Sequence, residues 1–432
     1  MTTGPRIGRG QPSLMLLRAR ILLPISAPPI ENGAVLLAKN RVVALGAWRD
    51  LAPHAREPAV DLGPVILLPG LINAHCHLDY TDMTGLPPQK QFPDWIKGLL
   101  ALKAGAIYTD YAEAWLRGAK MLARTGTTTV ADIEAVPELL PEVWSSTPLR
   151  VFSFLEMTGV KSRRSPEEIL HETAAKIKSL ASARGSAGLS PHALYSTTPA
   201  LLRQTASLAR RRRWRVTMHV AESMDERDMY VGRRGPLFDW LKGQRDMSDC
   251  DGRTPVQLLR RYGLLGDNFL AIHANYLDSA DISALAESRS SVVHCPQSHA
   301  YFGHAPFPFQ KLRAAGVNVC LGTDSLASVK LTRRAKAELN MFTEMQSFAA
   351  AHPEVAPDTI VRMATHHGAR ALGRQRQAGR IFPQSLADLI TIPFRGKTED
   401  SWLAAVHHTG PVTASMIDGK WVHGDSVDSS SP

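Results

Sequence analysis

The sequence predicts an α/β protein: a (β/α)8 barrel of the TIM type with a small composite β-sandwich domain built from both termini. Three observations predict it. Eight short apolar runs alternate with helix-length stretches across the middle of the chain, ionisable residues recur at the C-terminal ends of those runs, and paired β segments occur only near the two ends. The length of 432 residues accommodates one barrel of roughly 250 residues or more plus a smaller unit.

In chain order, residues 1 to 12 carry no pattern and are expected to be a disordered end, as is the tail from Ser426. Over residues 14 to 62, LMLLRARILLP and GAVLLAKNRVVALG read as antiparallel strands, with Lys39 and Asn40 as a turn. At the far end ADLITIPF and VTASMIDGKWVHGD read the same way, with Asp418 and Gly419 as a hairpin turn. Short hairpins rarely stand alone, so residues 1–63 and 383–432 are expected to form one domain flanking a barrel over 64–382. The barrel strands are expected in VILLPGLINAH, TTTVADI, RVFSFLE, AGLSPH, RVTMHVAE, FLAIH, SVVHCP and VNVCLGTD. Residues 224 to 254 read as a long, charged, Gly-interrupted segment, a lid or decoration, in which Arg233 and Arg234 are more simply solvated than bound to a substrate anion.

Composition narrows the function. Hydrophobic residues are 44% and charged residues 21%, ordinary globular usage that excludes disordered, collagen-like and coiled-coil classes. The net charge of +10 raises a nucleic-acid reading, but the positive residues are scattered. The densest run, Arg210 to Arg213 with Arg215, falls where a helix should end and offset its dipole. No specific nucleic-acid partner is expected. The apolar stretch from Leu14 to Ile25 is broken by Arg18 and Arg20 and is too short to span a bilayer, so no membrane partner is expected either. Cys76, Cys250, Cys295 and Cys320 show no CxxC spacing, which fits a cytoplasmic protein.

The strand-end residues carry the chemistry: His75 and His77, Glu156, His192, His219 and Glu222, His273, His294, and Asp324. In a barrel these ends share the face where active sites sit. Side chains alternate along a strand, so His75 and His77 point the same way and can grip one ion, while Cys76 points elsewhere. His219 and Asp324 end otherwise apolar runs, where a polar group buried without a partner is costly. Three imidazoles and a carboxylate with an open position suit Zn or Fe and do not suit Ca or Mg.

PGLINAHCH at 69–77, SPHALYS at 190–196, HVAES at 219–223, HANYLD at 273–278, HCPQS at 294–298 and LGTDS at 321–325 carry a resemblance over nearly the whole chain. The chain resembles the amidohydrolase superfamily, in the branch of aminohydrolases and chlorohydrolases that includes adenosine-type, guanine and cytosine deaminases and triazine hydrolases. The resemblance implies that His75, His77, His219 and Asp324 hold one divalent metal ion, Zn in preference to Fe, with metal-bound water as nucleophile. It also implies Glu222 as the proton shuttle and His273 as the residue that orients or helps deprotonate the water, with Asp324 accepting the water proton. No strand-end Lys is placed to bridge two metals, which favours one ion.

On the substrate side, Trp95, in the loop after the first strand, looks like the residue that stacks on a heterocycle in nucleoside-type deaminases. His192 ends the fourth strand in that family's manner, and Glu156 ends the third, where it binds an amino group or pairs with an arginine. Such deaminases carry a Glu shortly after the Trp to hold a ribose diol; IKGLLALKAGA offers none, and His299 stands where Asn is common after CPxS. His299 and His304 read as surface residues or as extra imidazoles near the mouth. The expected activity is hydrolytic deamination of an N-heteroaromatic ring, a hydrolase reaction on a cyclic amidine. The alternatives are dechlorination or cyclic-amide opening in the same site, or a non-catalytic barrel scaffold. The expected partner is a small heterocyclic substrate, with room for a homodimer because exposed barrel helices in such enzymes often pair.

Overall fold

The computed structural model describes residues 14–54, 59–180, 184–330 and 337–423; the two expected disordered ends lie outside the described residues. Its strands form two sheets of eight. The first contains β1 (Leu14–Leu22), β2 (Ile30–Ala38), β3 (Arg41–Ala47), β4 (Val60–Asp61), β5 (Val65–Pro69), β14 (Leu389–Pro393), β15 (Ala414–Ile417) and β16 (Lys420–His423). It is one continuous sheet in the order β16-β15-β14-β5-β1-β2-β3, with β4 beside β1. Both termini therefore contribute, as the sequence implies. The β2–β3 turn is at Lys39 and Asn40 and the β15–β16 turn at Asp418 and Gly419, with Lys39 and Asp418 in the left-handed region such tight turns need.

The second sheet is parallel: β6 (Leu71–Cys76), β7 (Thr127–Glu134), β8 (Arg150–Met157), β9 (Ser186–Pro191), β10 (Val216–Val220), β11 (Phe269–His273), β12 (Ser291–His294) and β13 (Asn318–Leu321). All eight expected barrel strands are present. β7, β10, β11, β12 and β13 are buried along their entire length, as strands of a parallel sheet covered on both faces are. Each Val, Leu or Ile so buried contributes about 1.5–3 kcal/mol. β13 closes on β6 through a parallel bridge between Asp324 and Cys76.

The first apolar run departs from the expectation of a single barrel strand. Val65–Pro69 pairs with β14 and β1 in the terminal sheet, and only Leu71–Cys76 enters the barrel. The crossing is at Gly70, where an added Cβ would lie 2.1 Å from the Thr128 side chain, so only glycine lets the chain pass.

The helices follow their local signals. Pro166–Ser179 begins with Ser165 and Glu168 in a reciprocal capping box and Pro166 at the first position. Pro199–Arg212 is capped by Thr198 and ends on Arg210, Arg211 and Arg212, so the arginine run sits at a helix C-terminus as expected. Residues 224 to 254 are more ordered than their charge suggests. They contain the helices Met224–Arg227 and Pro236–Leu241, and Arg245 forms a buried ion pair with Asp249 at 2.5 Å. Arg233 donates to the Cys250 carbonyl at 3.2 Å and Arg234 faces Asp228 at 3.5 Å.

Candidate metal centre and substrate cavity

At the C-terminal ends of the barrel strands, four side chains converge. The His77 and His219 Nε2 atoms lie 3.3 Å apart, and Asp324 Oδ1 is 3.5 Å from His75 Nε2 and 3.8 Å from His77 Nε2. Local structure produces this arrangement. His75 is at the end of β6 and His77 two residues on, and their rings meet edge to face with centroids 4.9 Å apart. Gly322 lets the end of β13 reach them, since a Cβ there would sit 2.8 Å from the His75 carbonyl oxygen. Asp324 follows with φ +55, and Ala221, His273 and Ala274 also take left-handed backbone at +48, +67 and +49. Such strained turns cluster where side chains must be aimed.

The donor set fits a divalent cation. His75, His77 and His219 form one cluster of mutually close ligand atoms, and His75, His273 and Asp324 form a second. Among the described residues, both ring nitrogens of His75, Nδ1 of His77 and Nε2 of His273 are buried without a hydrogen-bond partner. Orphaned nitrogens of this kind are expensive unless they coordinate an ion. Nδ1 of His219 bonds the carbonyl of His192 at 3.0 Å, which aims its Nε2 at the cluster. Asp324 Oδ2 accepts from the Ser328 hydroxyl at 3.0 Å.

The charges are set by burial and by neighbours. Burial alone would raise the Asp324 carboxyl, but the adjacent His75 ring, 3.5 Å away, and the nearby rings of His273 and His77 hold it well below the usual range. Burial first, then the neighbouring imidazoles, pushes His77 and His219 well down, so both present lone pairs. Glu222 moves the opposite way: burial, Asp324 and Glu226 push its carboxyl well up. Its Oε1 is 3.6 Å from His273 Nε2. The Glu222 backbone is held by Glu226, which accepts from its N–H at 2.9 Å, and by Asn275, which donates to its carbonyl at 2.9 Å.

A cavity of about 270 Å³ opens from this cluster. It is lined by His77, His219, Glu222, His273 and Asp324 and by Trp95, Glu156 and His192; of the strand-end residues singled out in the sequence, His75, whose ring meets that of His77 edge to face, and His294 are not in its lining. Burial, with smaller effects of Lys103 and His75, lowers His192 to about 4, and its Nδ1 is 2.8 Å from the Ser196 hydroxyl.

One placement is corrected. Trp95 is not in the loop after the first strand; it lies in the helix Phe92–Ala104, which Pro93 starts. There it is 9% exposed and packs on Phe92 and Phe302 with centroids 6.0 and 5.0 Å away. His294 stacks on Phe307 at 3.8 Å, away from the cavity lining. His299 and His304 are half-buried and also lie off it, with His299 bonded to the Ala305 carbonyl and His304 to the Tyr276 hydroxyl.

The sequence reading missed Tyr80, Lys103, Tyr195 and Trp240, all of which line the cavity. Tyr80 stacks on His77 at 4.9 Å, and Lys103 is hydrogen-bonded to the Tyr80 hydroxyl. Trp240 comes from the 224–254 segment, where Pro236 followed by LFDWL was a readable helix start.

Residues 66–422 match the family described as "Amidohydrolase family". The chain is 30% identical over 417 residues to a 5-methylthioadenosine/S-adenosylhomocysteine deaminase of Syntrophobacter fumaroxidans, covering 90% of this chain and 86% of that one. It is 28% identical to a 5'-deoxyadenosine deaminase of Methanothermobacter thermautotrophicus, covering 89% and 86%. A zinc-bound adenosine deaminase from Xanthomonas campestris superposes with a TM-score of 0.81 at 25% identity, covering 94% of this chain and 92% of that chain.

Proposed function

The chain belongs to the amidohydrolase family, and on that premise we propose that it is a metal-dependent hydrolytic deaminase of an adenine-type ring, releasing ammonia. The observation that carries the reading is Glu222, a buried carboxyl pushed well up from its ordinary value, lining the cavity 3.6 Å from His273. Burial that favours the protonated carboxyl suits Glu222 to donate a proton to a ring nitrogen, and that is the catalytic demand of deamination at a carbon beside such a nitrogen.

One divalent ion, zinc in preference to iron, would be held by His75, His77, His219 and Asp324, where it supplies a Lewis acid that makes water acidic enough to attack at neutral pH. The chain's own groups do the rest. His273 is kept neutral by burial, and its Nε2 has no partner, so it orients the attacking water and helps take its proton. Asp324, held ionised, accepts a proton on the same side. Glu222 gives its proton to the ring nitrogen, recovers one, and delivers it to the leaving amine.

Trp95 offers an aromatic wall for the ring, and Glu156 and His192 offer polar handles beyond it. After Trp95 its helix reads IKGLLALKA, with no carboxylate to grip a ribose diol, so an intact diol is not required. The relatives' names put aminopurine nucleosides first among candidate substrates. Four free, buried cysteines fit a reducing cytoplasm. The test is a release screen with zinc-loaded protein over aminopurine nucleosides, pyrimidines, pterins and triazines. Ammonia from an aminopurine is the expected result; chloride from a chlorotriazine or an opened cyclic amide, without ammonia, would replace this reading.

A further inference from the structure

A second cavity, of about 330 Å³, lies at the opposite end of the barrel. Its walls include Ile72, Thr129, Phe152 and Ser186, each near the N-terminal start of a barrel strand, whereas the metal cluster sits at the C-terminal ends. The terminal sheet closes it with Arg41 from β3 and Asp418 from the β15–β16 turn. Among the described residues, the guanidinium groups of Arg41, Arg150, Arg184 and Arg374 line it together with one carboxylate, Asp418.

Two of these cations, Arg41 and Arg374, have no carboxylate partner among the described residues. Arg150 takes Asp388 at 2.5 Å and Asp418 at 2.8 Å. Arg374, half-buried, donates to the Gln377 side chain at 3.2 Å and the Ser186 hydroxyl at 3.1 Å and lies over the Phe152 ring at 5.3 Å. Arg41 donates to the Gln384 carbonyl at 3.0 Å. Among the described residues, neither Arg374 nor Arg41 forms an ion pair. Burial and the charge of Arg150 lower the Arg374 pKa, the direction expected of a cation short of a counter-ion.

We propose that this basal cavity binds a phosphate group, either free or on a small phosphorylated metabolite, bridging the barrel and the terminal sheet. Planar guanidiniums from two sides match the several acceptor oxygens of a phosphate, which a single carboxylate cannot supply. The volume exceeds that of a lone ion and falls at the lower end of small-molecule sites. The N-terminal face of such barrels governs stability rather than chemistry, so binding there is read in unfolding and leaves turnover alone. This holds whether or not the deaminase reading does.

The test measures the melting temperature of the full chain against inorganic phosphate and, separately, ribose 5-phosphate, at ionic strength held constant with sodium chloride. The expected result is a saturable rise with at least one of them, an apparent affinity about tenfold or more weaker in Arg374→Gln and in Arg41→Gln, and unchanged kcat/KM. A rise with phosphate identifies the free ion as sufficient, and a rise with the sugar phosphate alone identifies the metabolite. No rise with either overturns the proposal. So does a rise that persists undiminished in both variants, since that places the anion elsewhere, the metal centre included.

Discussion

The backbone carbonyl of His192 accepts a hydrogen bond from Nδ1 of His219 at 3.0 Å. A carbonyl can only accept, so the proton resides on Nδ1 and the Nε2 lone pair faces His77 and the metal cluster. Because the contact is made by the main chain of His192, its side chain remains available to the cavity. The two histidines therefore separate in mutagenesis. His219→Ala should reduce bound metal from about one equivalent to a small fraction, while His192→Ala should keep the metal and weaken substrate binding. Elemental analysis of both variants decides; equal metal loss in the two would remove the distinction.

Glu222→Gln preserves shape and the main-chain bonds to Glu226 and Asn275 but cannot cycle a proton. Turnover should fall roughly 10²- to 10⁴-fold at unchanged metal content. Near-equal kcat for variant and parent with an amino substrate would exclude the shuttle role.

Trp95 lines the cavity and forms no ring contact with the histidine cluster among the described residues. Trp95→Ala should chiefly raise KM, as expected for a group that holds ground and transition states alike. Steady-state kinetics over a substrate series checks this, and a fall in kcat with KM constant would assign Trp95 to the transition state.

Burial pushes Glu344 up to about 8, even though Gln297 donates to its carboxylate from the backbone at 3.0 Å and the side chain at 2.7 Å. A carboxyl with a raised folded-state pKa contributes fully below its unfolded value near 4.5, and that contribution is lost as pH rises toward 8. The loss is on the order of 4 kcal/mol. Urea unfolding at pH 5 and pH 8 should show the parent losing more stability across this interval than Glu344→Gln; identical slopes would rule Glu344 out as the source.

The parallel strands and their terminal polar residues were legible because both are local signals: a buried strand reads as an apolar run, and a polar residue at its end stands out. His75, His77, His219 and Asp324 all announce themselves in this way. Trp95 was legible as a residue but misplaced, because the helix Phe92–Ala104 carries a Pro in its first turn and Trp95 packs on Phe302, far along the chain. The division of the first apolar run at Gly70 was hidden for a related reason. Both halves are equally apolar, and only the Thr128 side chain pressing on Gly70 marks where one sheet yields to the other. Tyr80, Lys103 and Trp240 join the cavity through tertiary packing that no periodicity encodes.

The seam between β6 and β13 is held by few main-chain bonds, the Thr323 and Asp324 N–H groups donating to the His75 carbonyl at 3.0 and 3.1 Å and the His77 N–H to the Asp324 carbonyl at 3.4 Å. His75 and His77 stand on one side of that seam and Asp324 on the other. An ion gripped by all three would act as a rivet through the place where the cylinder joins itself, making the reaction centre and the mechanical closure of the barrel one and the same part. Selection to retain catalysis would then also retain the shape of the vessel, and a lineage that lost the ion would have to mend the joint by other means.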